Sequence, residues 1–120
     1  MARILVHITH GPEQPTRAAL GFLVARTAVE EGHEVSLFLA GDAVQLMRDG
    51  VLDNLKGLGT GDLREHYNAI TEGGGRFYLS GMSSKARGLD AADAEAKNAE
   101  LALPKVLLAL ALEADQTFTY

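Results

Sequence analysis

Residues Ile4-Leu5-Val6-His7-Ile8 make a nearly unbroken apolar run, rich in β-branched side chains and only five residues long. A strand with helices packed on both of its faces reads this way, because polar alternation disappears when neither face meets water. The run therefore predicts a first strand central to a parallel sheet. It is too short for the apolar core of a signal peptide and far too short to span a bilayer, so the expectation is a cytoplasmic protein with no membrane segment.

The segments that follow alternate in type. After the turn-rich Thr9-His10-Gly11-Pro12-Glu13-Gln14, Pro15 suits the first position of a helix, and Glu13 suits the positive end of its dipole. Leu20, Leu23, Val24 and Thr27 recur at helical spacing and predict the buried face of that helix, which Gly32 ends. Val35 to Leu39 reads as a second strand, joined to the first by a right-handed crossover. Asp42 is placed to cap a short helix over about Ala43 to Asp49. The pattern loosens from Gly50 to Thr60, and a further helix spans about Leu63 to Thr71 behind Asp62.

Gly73-Gly74-Gly75 breaks the chain before a third strand, Phe77 to Leu79, and Ser80 to Gly88 reads as loop into short helix. Asp90 to Asn98 alternates alanine with charge, as an exposed helix or a mobile excursion would, and Glu100 to Leu103 reads as a short strand. Pro104 opens a last helix through about Ala114, and Gln116 to Tyr120 alternates like a final strand. These segments predict one α/β domain over residues 1–120, a three-layer α/β/α arrangement with a mainly parallel sheet of about five strands. At 120 residues with 47% hydrophobic side chains, the chain has apolar surface for one core.

Chemistry is bounded first by what is missing. The chain has no cysteine, so it offers no disulfide, no thiolate nucleophile and no cysteine-bound metal. Eleven Lys and Arg against 16 Asp and Glu leave a net charge of -5, which gives no global attraction to nucleic acid or anionic lipid. His7 and His10 are the only closely spaced histidines, His33 and His66 read as solvent-facing, and no metal-binding spacing joins them. There is no dinucleotide fingerprint, no phosphate-binding P-loop and no nucleophile elbow around Ser83, and no cofactor is expected.

In open parallel sheets ligands collect beyond the C-terminal strand ends. Three such ends carry glycine and polar side chains: Thr9-His10-Gly11, then Gly41-Asp42, then Ser80-Gly81-Met82-Ser83-Ser84. Arg17, Lys85 and Arg87 lie near them in sequence, so a pocket for a small anionic ligand is predicted there, with Thr9, His10, Gly41, Ser80, Ser83 and Ser84 converging. The plainer reading is that these residues cap helices and turn the chain. A Ser83–His10–Asp42 arrangement for hydroxyl chemistry is the enzymatic alternative.

Several of these segments together resemble the DsrE/DsrF-like proteins: Ile4 to Thr9, Pro15 to Ala18, Leu37 to Asp42, and Ser83-Ser84-Lys85-Ala86-Arg87-Gly88. The resemblance spans nearly the whole chain. It implies a three-layer fold with a mainly parallel sheet, frequent homo-oligomers and, in members that relay sulfur, a cysteine in the loop after the third or a neighbouring strand. Here that loop offers Ser80 to Ser84 instead, and a serine hydroxyl cannot form the S–S bond that relay requires. The resemblance thus points to a cysteine-less member that binds a small ligand or serves as an accessory protein. A homo-oligomer is expected on separate grounds, because Val106 to Leu112 is apolar all round and its far side needs a cover, either a partner or, within one chain, the Asp90 to Leu103 segment; assembly itself is then a third reading of the role.

Overall fold

Five strands run parallel in the computed structural model, which describes residues 1–120: β1 (Arg3–Ile8), β2 (Glu34–Leu39), β3 (Arg76–Ser80), β4 (Ala99–Ala102) and β5 (Gln116–Thr119). Their order is β4-β3-β2-β1-β5, so β2 rather than β1 is the middle strand, and β1 is held between β2 and β5. The helices are α1 (Pro15–Glu30), α2 (Asp49–Asn54), α3 (Leu63–Glu72), α4 (Gly81–Ala86), α5 (Ala91–Ala96) and α6 (Pro104–Glu113), with a 3-10 segment at Gly41–Met47. No helix is long and apolar enough to cross a membrane.

The strand order explains an asymmetry between the two sides of the sheet. From β1 to β4 the chain steps three times in one direction, and right-handed crossovers then put the connecting segments on one side. Only the return from β4 to β5 runs the other way, so α6 alone covers the second side. The first side holds a continuous core of 24 residues, in which Val6, Ile8, Leu37, Leu39, Phe77 and Leu79 meet Phe22, Leu63 and Ile70. On the second side the only buried hydrophobic residues are Leu5, Phe38 and Ala102, against the half-covered Val106, Leu107 and Leu110 of α6.

Four local expectations are corrected. The buried face of α1 is Ala18, Ala19, Phe22 and Ala25, while Leu20 is 37% exposed and Thr27 faces solvent. Small residues let the helix lie close to the sheet: a Cβ on Gly21 would stand 2.6 Å from Cδ1 of Ile8. Asp42 caps nothing with its side chain, and the expected single helix is instead the 3-10 segment followed by α2, which occupies part of the loosely patterned stretch. His66, expected at the surface, is 4% exposed. Its ring contacts Arg26 Nη1 at 3.3 Å and the Thr60 carbonyl at 2.6 Å. Since arginine only donates, Nδ1 accepts and Nε2–H donates to Thr60, fastening the Gly57–Gly61 loop to α3. His33 is half-buried and accepts the Ala2 N–H at 3.0 Å.

The segment from Asp90 folds as α5 rather than as a mobile excursion. Asp90 and Asp93 form a reciprocal capping box at 3.0 and 2.9 Å, which explains why so short and alanine-rich a helix is stable here. This capping holds the Asp90 carboxyl below its ordinary range, chiefly through the Asp93 backbone N–H.

Candidate functional site

Because β1, β2 and β3 are neighbours, their C-terminal loops touch. The β1 loop packs on the β2 loop so tightly that a Cβ on Gly11 would fall 2.1 Å from the Asp42 carbonyl oxygen, and the Gly11 N–H donates to Glu13 at 2.6 Å. The β2 loop meets the β3 loop through the Gly41 N–H, which donates to Ser83 Oγ at 2.9 Å. Arg87 closes the cluster: its Nε donates to Asp42 at 3.0 Å and its Nη1 to the Ser83 carbonyl at 3.1 Å. Arg48, which no sequence signal marked, donates to the Arg87 carbonyl at 2.6 Å.

Other candidates are accounted for locally. Ser80 caps α4 by accepting the Ser83 N–H at 3.2 Å, and Gly81 is the first residue of that helix. Thr9 donates to the Tyr120 carbonyl at 3.2 Å and stands 3.4 Å from His10 Nδ1. Met82 points outward, 69% exposed, whereas Ser84 is fully buried with its hydroxyl unpartnered. Arg17 lies on the exposed side of α1 and makes none of these contacts. The loops thus come together, but their polar groups are engaged mainly with one another, and of the thirteen candidates only Gly81 and Lys85 line one of the four main cavities, both the same one.

Two of those cavities open instead on the thinly covered side of the sheet. A groove of about 300 Å³ runs between β1 and α6, lined by Leu5, His7, Leu107, Leu108, Ala111 and Thr117 among others. His7 sits on its floor edge-on to Phe38, with Nε2 buried and without a hydrogen-bond partner, and burial lowers its pKa from the ordinary value. A neutral imidazole beside leucines is poor company for a charged ligand. The second cavity lies at the N-terminal strand ends. The predicted site lies at the opposite, C-terminal ends, although Arg76, Tyr78 and Ser80 alternate in β3 as a polar row on one side of the sheet.

The DsrE/DsrF-like family pattern matches residues 2–120. The chain belongs to the DsrE/DsrF-like family. Solved structures of similar fold include the ychN protein from E. coli, 19% identical with a TM-score of 0.77 over 100% of both chains. The MTH1491 protein of unknown function from Methanobacterium thermoautotrophicum is 14% identical, with a TM-score of 0.72 over 100% of both chains. The BT1422 protein of unknown function from Bacteroides thetaiotaomicron is 10% identical, with a TM-score of 0.71 over 99% of this chain and 95% of that one. No curated protein matches in sequence. This DsrE-like chain presents Ser80 to Ser84 after β3 and no thiol anywhere.

Proposed function

We propose that this DsrE-like chain is a cytoplasmic accessory protein that acts by association, in the first place with copies of itself, and that does not carry sulfur. The observation that carries the reading is the outward side of α6, where Leu108 is 62% and Leu112 78% exposed, with Leu103 beside the helix start at 52%. Soluble chains seldom leave such leucines wet and contiguous. Covering three of them contributes on the order of 5 kcal/mol, at about 1.5–3 kcal/mol per side chain, before the entropy of association is subtracted. A second copy is the occupant favoured here, because two α6 helices meeting about a two-fold axis each supply the same apolar side.

A small anionic ligand at the strand-end loops is the second reading, and Arg87 favours it, since its guanidinium already lies between the β2 and β3 loops. Hydroxyl chemistry there has less support, because Ser83 Oγ is engaged by the Gly41 N–H. Sedimentation velocity tests the first reading. The wild-type chain should run heavier than its 12.8 kDa monomer at micromolar concentration, and Leu112→Glu should shift it to monomer. A wild-type monomer would refute association. Sulfane sulfur offered to either form should leave no covalent adduct, because no side chain can become a persulfide.

A further inference from the structure

The cavity at the N-terminal strand ends, of about 300 Å³, lies beneath the C-terminal turn of α6. We infer that it is a binding site for a small linear zwitterion, a molecule whose carboxylate and ammonium are separated by a short apolar chain. Ser36 and Arg76 are register partners on β2 and β3, and Tyr78 follows Arg76 by two residues, so all three side chains project from the same side of the sheet. All three line the cavity, and neither the Arg76 guanidinium nor the Ser36 and Tyr78 hydroxyls have a partner within the chain. A guanidinium beside two hydroxyls is a carboxylate receptor.

The other end of the cavity has the opposite character. Arg3 on β1 is paired to Glu34 at 2.8 Å and reaches Glu113 only at 3.7 Å, which leaves the Glu113 carboxylate loosely held. Beside it the last carbonyls of α6 add the negative end of the helix dipole. With β2 between β1 and β3, the two ends are roughly 10 Å apart at the backbone, two strand spacings. Leu110 and Ala114 lie between them as an apolar roof. Arg3 and Arg76 balance Glu34 and Glu113, so the lining has no net charge and a simple anion gains less there than a molecule carrying both charges.

The test is titration of the full chain with 5-aminopentanoate, pentanoate and pentylamine, followed by backbone amide chemical shifts. 5-Aminopentanoate should saturate shifts at Ser36, Gly74 and Tyr78, and the two singly charged analogues should bind at least about tenfold more weakly. Arg76→Gln should cost about tenfold in affinity, with Glu113→Gln and Tyr78→Phe each weakening it less. All three positions are exposed or half-exposed, so the variants should keep the wild-type spectrum elsewhere. The inference is overturned if 5-aminopentanoate moves no resonance at this end of the sheet at millimolar concentration, if pentanoate binds equally well, or if Arg76→Gln leaves the affinity unchanged.

Discussion

The two sides of the sheet were made from the same five strands, yet they differ in almost every physical respect. The first side is closed over by segments from three successive crossovers and buries Leu37, Leu39 and Phe77 completely or nearly so. The second has one helix for cover, no residue of that helix is buried, and the sheet beneath it mixes Leu5 and Phe38 with Ser36, Arg76, Tyr78, His7 and Thr117. Strand order thus allots work: one side folds the chain, and the other is left for contacts.

The largest expected effect lies on the closed side. Leu39→Ala should destabilise the protein by about 3 kcal/mol, since it empties space that the surrounding core cannot refill, whereas Leu110→Ala on α6 should cost about 1 kcal/mol. Urea midpoints at one protein concentration measure both, and equal losses would mean that the two sides are equally well packed. His66→Ala should come next, at about 2 kcal/mol, because it leaves the Thr60 carbonyl without its buried donor. The Gly57–Gly61 amides should then exchange faster than those of α1.

His7 reports on the open side. Its folded pKa is lowered, so below about pH 6.5 the unfolded chain binds a proton that the folded chain resists. Stability contributed by this site is therefore complete above that pH and falls as pH drops through the window between 6.5 and the lowered value. His7→Phe should remove that slope and add about 1 kcal/mol at neutral pH by replacing an unpartnered nitrogen with a ring. Parallel pH–stability curves for the two proteins would contradict this assignment. The smallest effect is expected for Leu112→Glu, within about 0.5 kcal/mol for unfolding of the monomer, although it should abolish association.

Much of this was legible in the residues. The run from Ile4 to Ile8, the proline starts at Pro15 and Pro104, and the alternation of Gln116 to Thr119 all appear as elements near their expected bounds. The face of α1 was misread because apolar periodicity marks hydrophobicity but not size: Leu20 and Leu23 carry more of it than Ala18 and Ala25, yet only the small residues permit close packing. The contact of the three strand-end loops follows from adjacency of β1, β2 and β3, while the pairing of Arg87 with Asp42 joins positions 45 residues apart and had no local signature. Likewise, the solitary position of α6 follows from the direction of one crossover, which no single segment encodes.

Amide hydrogen exchange across a range of protein concentrations tests the central contrast most directly. If a second copy covers the open side, protection in α6 should rise with concentration while protection in α1 and α3 stays constant, and Leu112→Glu should erase the dependence. Exchange in α6 that is independent of concentration, or protection that rises equally in α1, would show that no second copy covers the open side.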